Sequence, residues 1–296
     1  MSTLISGLVG AAGTVGAVTV GAALIRRRNP YLVAGHALAA PRDVDPLPGV
    51  LRLGLGGLTV AVRPGPHGEL YLGAGDPEPG CTLRRRVLTP LFELADARGG
   101  RLCADQCAPF RLVVEVYGPN RDADTLLHAY RSLDRLLHDH IALLTRCVGD
   151  ALEPGALTVS LTGIVDVRDL LAARRQRYLF AEGGFDDIGD PAAPAHVVPV
   201  ISEPWRRRFG WDGVEEIPAE ERHLLHALVA GAHADGRTVR FSSVPVVSRR
   251  ARKAIWDELL AAGVDVIGDA DPKALAGMLS AKPSRSVPAP RSVSIR

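Results

Sequence analysis

The feature that most constrains the fold is the alternation of strand-like and helix-like segments between about residues 31 and 279. Runs rich in β-branched residues, such as RLVVEVY at 111–117 and TVRFSSV at 238–244, alternate with amphipathic or capped helical segments. Near-continuous apolar strands separated by helices are typical of parallel β-structure covered by helices. The pattern predicts further strands at 157–163, 177–183, 196–203 and 264–268, and helices at 122–146, 167–175, 218–236, 249–263 and 271–279.

The number of these units separates two parallel architectures. About eight strands over about 250 residues fit a closed (β/α)8 barrel of the TIM type better than an open doubly wound sheet. Nucleotide-binding open sheets carry a glycine-rich loop after a strand, and no predicted strand here is followed by G-x-G-x-x-G or G-x-x-x-x-G-K-[ST]. The sequence therefore predicts an α/β fold built on a TIM-type barrel.

The two ends of the chain differ from this body. Residues 4–25 contain no charged side chain and are followed by three arginines at 26–28. About twenty apolar residues can cross a bilayer, and positive charge placed after the run predicts a cytoplasmic barrel domain. We expect a membrane segment at 1–28, a barrel at 29–281 and a disordered basic tail at 282–296. A Gly/Ala-rich leader on a soluble cytoplasmic protein is the alternative.

Composition excludes some classes of partner and site. The net charge is +2, and no basic stripe interleaved with aromatic residues argues for nucleic acid. The four cysteines lack the spacing of a zinc site or a redox motif, so we expect buried or idle thiols. The abundance of Ala, Gly, Leu, Arg and Pro is typical of a high-GC bacterial genome. No motif identifies a protein partner.

Chemistry in a TIM barrel collects at the carboxyl ends of the strands. A histidine with several carboxylates at such a mouth would suit a metal-assisted or general acid–base hydrolase. The predicted strand ends supply Glu115, Glu182, Glu203, Ser242, Ser243 and Asp269. His36 joins this set if the region before it forms the first strand.

Several segments resemble a known family. VVPVISEPWRRRFGWDG at 197–213 and the segments 215–245 and 256–279 are similar to bacterial relatives of altered inheritance of mitochondria protein 6, as are 67–96 and 110–137. Those proteins belong to the phospholipase C-like phosphodiesterase barrels, the superfamily that also holds glycerophosphodiester phosphodiesterases. The resemblance covers most of residues 31–280. It implies a TIM barrel, hydrolysis of phosphoric diesters on lipid-derived or glycerophosphodiester substrates, and a divalent cation, calcium or magnesium.

The family's first two motifs are mostly lost from this sequence. Its His-x-His-Asn-Asp-Tyr motif matches HALAAP, so the resemblance makes His36 the candidate catalytic histidine and leaves apolar residues at 38–40. The Glu-x-Asp pair that helps to hold the metal falls on Val60 and Val62. A valine supplies no oxygen ligand to a hard cation, so this strand is interpreted as a lost metal site.

The later motifs are partly kept. The Gly-His-Asp motif appears as GAGD, which keeps Asp76, and the Asp-x-Lys motif appears as EVY, with Glu115 as the acid. The resemblance makes these two carboxylates candidate metal ligands. A repositioned site would use Glu182, Glu203 and Arg240. Arg240 and Trp205 are the candidate substrate-binding residues, although core or rim packing is the simplest role for Trp205. An ion pair with a neighbouring arginine is the alternative role for Glu115.

Three hypotheses for function remain open at this point. The first is a catalytically degenerate pseudo-enzyme that binds a ligand or a protein partner near the membrane. The second is an active phosphoric diester hydrolase with an unrecognised residue set. The third is a scaffold whose barrel mouth is packed shut by Leu38, Val60 and Val62.

Overall fold

A computed structural model describes residues 30–117, 123–149, 151–162, 168, 171, 174 and 176–281. The predicted membrane segment, the basic tail and most of the predicted helix at 167–175 lie outside these residues. In the part of the chain that the structure describes, no helix is both long enough and apolar enough to cross a membrane.

Eight parallel strands form a closed barrel. The first strand pairs with the last and also with the second, which closes the sheet. Closure removes both edges, and the helices cover the outer face. The predicted TIM-type barrel is therefore confirmed by the strand order itself. The barrel strands are β1 (Gly35–Leu38), β2 (Gly57–Pro64), β4 (Phe110–Val116), β7 (Leu157–Thr162), β9 (Leu179–Gly183), β10 (Val200–Pro204), β11 (Thr238–Ser243) and β12 (Val266–Asp269).

In the part of the chain that the structure describes, four short strands lie outside this ring. Strand β3 (Leu70–Leu72) pairs antiparallel with the end of β2. Strands β5 (Arg146–Val148), β6 (Ala151–Glu153) and β8 (Gln176–Arg177) form a separate antiparallel sheet.

Six helices are described in full. Capping fixes two of their starts, because Ser248 and Asp271 each accept a hydrogen bond from the backbone N–H three residues later. The helices are α1 (Leu47–Leu53), α2 (Thr89–Asp96), α3 (Ala123–His138), α4 (Ala219–Ala234), α5 (Arg249–Ala261) and α6 (Pro272–Ser280). Shorter helical turns lie at Pro66–Gly68, Arg84–Leu88, Ile141–Leu143, Phe185–Asp187 and Trp205–Arg207.

The predicted helix at 122–146 is too long by eight residues. Helix α3 ends at His138, although its apolar stripe continues to Leu144, which is buried. Tertiary contacts override the periodicity there: Leu144 bridges to Leu157, and the Thr145 N–H donates to the Leu157 carbonyl at 2.6 Å. The segment after the helix therefore lies beside the start of β7 and does not continue the helix.

Alternation along the barrel strands divides their side chains into two sets. One set packs against the helices in a continuous hydrophobic core that includes Leu58, Val60 and Val62 of β2. The other set points into the barrel, because successive side chains of a strand lie on opposite faces. Core members on the helix side of β4 and β11 are Leu112, Val114, Val116, Val239 and Phe241.

Candidate functional site

The inward face of β2 differs from the one that the sequence comparison predicts. Val60 and Val62 expose 1% and 0% of their surface and belong to the core under the helices. Thr59 bonds to side chains inside the barrel, so Thr59, Ala61 and Arg63 form the inward set. Val60 and Val62 therefore face away from the barrel interior, and neither valine fills the mouth.

The inside of the barrel is organised around the guanidinium of Arg240. This side chain reaches across from β11, with its Nε donating to Ser202 Oγ at 3.0 Å. Its Nη1 lies 2.9 Å from His36 Nε2 and 3.3 Å from Thr59 Oγ1. Its Nη2 donates to the Glu182 carboxylate. A single cation therefore joins residues from five barrel strands, and its donors are almost all engaged.

His36 lies beneath this guanidinium and is neutral. It is wholly buried, and burial, with the added repulsion of Arg240 and Arg111, lowers its pKa well below the ordinary value. Because an arginine can only donate, His36 Nε2 must accept, which places the ring proton on Nδ1. The lone pair that a general base would use is therefore already bound to Arg240.

Gly57 makes room for the His36 ring. A Cβ built on Gly57 would collide with His36 Nδ1, and Gly57 is the ladder partner of Arg111 on β4. A larger residue at position 57 would displace the imidazole. The absence of a side chain there is part of what holds His36 against Arg240.

Two carboxylates point into the barrel above this level. Glu182 is paired with Arg240, and burial raises its pKa, with the neighbouring Glu115 adding to the rise. Glu115 sits on the inward face of β4, directly opposite Ala61 of β2. The two acids are neighbours, but the carboxylate of Glu182 is committed to the guanidinium.

Asp76 and Trp205 lie away from this cluster. Asp76 is exposed on the loop after β3, whose backbone is held at the barrel rim by Arg63 donating to the Gly75 carbonyl at 2.7 Å. Trp205 is completely buried and stacks on Phe209, with ring centroids 4.2 Å apart. Its Nε1 donates to the Trp211 carbonyl at 2.7 Å. The position of Trp205 favours the packing role over contact with a substrate.

Two further carboxylates at strand ends bind groups in loops and in a helix. Glu203 accepts from the Phe185 N–H at 3.0 Å and from Arg208 at 2.8 Å, so it ties two loops together. Asp269 accepts from the Asp271 N–H at 2.7 Å and pairs with Arg252 of α5 at 3.4 Å. Neither carboxylate joins the Arg240 cluster.

These residues do not fit the divalent cation that the family resemblance implies. A hard cation takes several oxygen ligands, and the inward face of β2 offers only the Thr59 hydroxyl, which bonds His36. The carboxylate of Glu182 forms an ion pair with Arg240, so it is not available to a metal. Within the described ranges, no group of three or more His, Cys, Asp or Glu side chains could hold a metal ion.

Sequence reasoning missed two members of the cluster, Thr59 and Ser202, and the nearby buried Arg111. None of the three lies in a family motif, and each is identified only because its side chain lies on the inward face of its strand. Arg111 lies deepest, where its Nη2 donates to the Val33 carbonyl. Among the predicted residues, the structure brings His36 and Arg240 into direct contact.

Comparisons with known proteins do not assign the chain to a family. No protein-family model and no curated protein matches the sequence. A glycerophosphoryl diester phosphodiesterase from Parabacteroides distasonis is similar in structure with a TM-score of 0.47 at 10% identity, over 88% of this chain and 90% of that one. Protein CitE from Mycobacterium tuberculosis, in complex with magnesium and acetate, gives 0.43 at 12% identity, over 85% and 92%. Haloferax volcanii malate synthase gives 0.29 at 16% identity, over 78% and 52%. Similarities at this level carry no argument about family or activity, and the barrel assignment rests on the strand ladder of the chain.

Proposed function

We propose that this chain is a phosphodiesterase-type barrel protein that has lost metal-assisted hydrolysis and binds a phosphate-bearing ligand at its mouth without cleaving it. The observation that carries the proposal is the Arg240 cluster: a fixed guanidinium, held by Glu182, His36, Thr59 and Ser202, lies inside the barrel, and Glu182 is committed to it. The family resemblance of the sequence supplies the ligand class.

Chemistry at such a centre would lack its main components. Hydrolysis of a phosphodiester needs a base or an activated water, and positive charge where charge develops on the phosphoryl oxygens. The His36 lone pair is bound to Arg240, and the donors of Arg240 are spent on protein partners. Neither group is free to act on a substrate unless the cluster opens.

The rim offers groups that could hold an anionic ligand. Arg63 is partly buried at the end of β2, and Tyr117 is 42% exposed just after β4. Both lie at the carboxyl ends of neighbouring barrel strands, where ligands of TIM barrels bind. We therefore assign Arg63 and Tyr117 as the side chains that contact the ligand.

Two measurements on the full-length protein test this. The first is hydrolysis of bis(p-nitrophenyl) phosphate with and without calcium, magnesium or manganese, for which we expect no metal-dependent turnover. Turnover that is lost in Glu115→Gln would overturn the proposal in favour of an active phosphoric diester hydrolase. The second is calorimetric titration with glycerophosphocholine and with glycerol 3-phosphate. Binding should be lost in Arg63→Ala and kept in Arg52→Ala, whose arginine is exposed on α1. Absence of binding to both ligands would overturn the ligand role.

Association with a membrane through residues 4–25 belongs to the same proposal. It predicts that the full-length protein sediments with membranes and that a variant lacking residues 4–25 stays in the supernatant. Equal distribution of the two would refute it.

A further inference from the structure

Three buried polar atoms on the floor of the barrel have no hydrogen-bond partner among the described residues: Tyr31 Oη, His36 Nδ1 and Arg111 Nε. Buried polar groups in folded proteins are nearly always bonded, so three orphans in one region need an explanation. None of them is used by the Arg240 cluster described above. We propose that together they form a binding site for a small monovalent anion of the size of chloride.

The ladder places the His36 and Arg111 side chains at one corner of the floor, beside Gly57. Gly57 and Arg111 are direct partners between β2 and β4, and His36 Nδ1 lies against Gly57. The Arg111 guanidinium extends from there to the Val33 carbonyl. Tyr31 lies two residues before Val33 in the chain. Its hydroxyl is buried and is close enough to Arg111 for the positive charge to affect its pKa.

All three groups present a hydrogen to the site. Arg111 Nε–H can only donate, and His36 Nδ1 carries the ring proton because Nε2 accepts from Arg240. The Tyr31 hydroxyl is protonated, since burial raises its pKa. A water molecule accepts through two lone pairs and cannot satisfy three donors, whereas a halide ion accepts from all three.

The buried positive charge of Arg111 also favours a bound anion. Arg111 takes part in none of the ion pairs formed by the described residues, and its guanidinium donates to the Val33 carbonyl. Burial lowers its pKa and the like charge of Arg240 adds to the effect, while the carboxylates of Asp265 and Glu182, which form no ion pair with it, partly oppose it. A buried cation without an adjacent carboxylate is costly unless a counter-ion accompanies it. A bound anion would supply that counter-ion.

The test is thermal unfolding of the full-length protein at constant ionic strength, with sodium gluconate replaced stepwise by sodium chloride or sodium bromide. A specific site predicts a melting temperature that rises by roughly 3–5 °C for each tenfold increase in halide above its Kd. Tyr31→Phe removes one donor and should abolish most of this dependence. Tyr71→Phe, which removes a hydroxyl from β3, should leave it unchanged.

Two results would overturn the site. Identical melting in gluconate and in both halides would show that no halide binds the folded protein. A halide dependence of equal size in the parent protein and in Tyr31→Phe would show that the ion acts elsewhere. In crystals soaked in bromide, an anomalous peak among Tyr31, His36 and Arg111 would support the site directly, and density for water alone would contradict it.

Discussion

Arg240 and Glu182 form an ion pair inside the barrel, where their side chains are only 3% and 6% exposed. The pair joins β11 to β9, and the same guanidinium reaches His36 on β1. A cation bonded to a carboxylate, an imidazole and two hydroxyl groups therefore occupies the interior of this barrel.

The first prediction concerns this ion pair. Glu182→Gln removes the counter-charge and leaves Arg240 buried, so we expect the free energy of unfolding to fall by about 3–5 kcal/mol. The double variant Glu182→Leu/Arg240→Met removes both charges and should recover most of that loss. The free energy of unfolding of both variants is measured by denaturation in urea. A loss below about 1 kcal/mol in Glu182→Gln would mean that the pair does not hold the barrel together.

The second prediction is a pH dependence of stability that belongs to His36. Its pKa is lowered in the folded state, so below pH 6.5 the unfolded chain takes up a proton that the folded chain refuses. Its contribution to stability is full above pH 6.5 and is lost as the pH falls below it, by up to about 1.4 kcal/mol per pH unit.

Glu182 acts in the opposite direction. Its folded pKa is raised above the ordinary value, so its contribution to stability increases as the pH falls. Urea unfolding between pH 7.5 and 5.5 isolates the His36 term when it is compared with His36→Gln, which keeps an acceptor for Arg240. The parent should lose stability more steeply than the variant, and parallel curves would contradict a neutral His36.

The third prediction tests the contact between Gly57 and His36. Gly57→Ala should destabilise the protein by about 1–3 kcal/mol, because the new methyl group collides with the imidazole. Gly277→Ala is the matched control, since nothing lies within 4 Å of a Cβ at that position of α6. Alanine is the better helix former, so the control should be neutral or stabilising by up to about 1 kcal/mol. Equal melting temperatures for the two variants would refute the contact.

The fourth prediction tests which face of β2 looks into the barrel. Val62→Asp places a charge in the core under the helices and should prevent folding or cost more than about 4 kcal/mol. Ala61→Asp faces Glu115 and should fold, with a calcium-dependent rise in melting temperature from the paired carboxylates. If Val62→Asp gains the calcium response and Ala61→Asp does not, the assignment of the two faces is reversed.

Most of the barrel strands could be predicted because they are short apolar runs, and four of the described helices could be predicted because they carry an apolar stripe or a cap. Periodicity failed where tertiary contacts decide the structure, as at Leu144, which continues the stripe of α3 but packs at the start of β7. Alternation within a strand shows that Val60 and Val62 share a face, but nothing local shows which face that is.

The candidate site was less accessible to prediction for the same reason. His36 and Arg240 are 204 residues apart in the chain, and only closure of the barrel brings them to 2.9 Å. Thr59 and Ser202 are ordinary strand residues until the position of Arg240 is known. Motif matching identified His36 and Glu115, and it could not show that the His36 lone pair is bound to a guanidinium.

The central claim is that a fixed guanidinium, and not a metal ion, organises the interior of this barrel. Calorimetric titration of the full-length protein with calcium, magnesium and manganese tests it most directly. The account predicts no saturable heat at millimolar metal and no change in melting temperature. Saturable binding of one of these cations that disappears in Glu115→Gln would contradict it and would place a metal site at the mouth of the barrel.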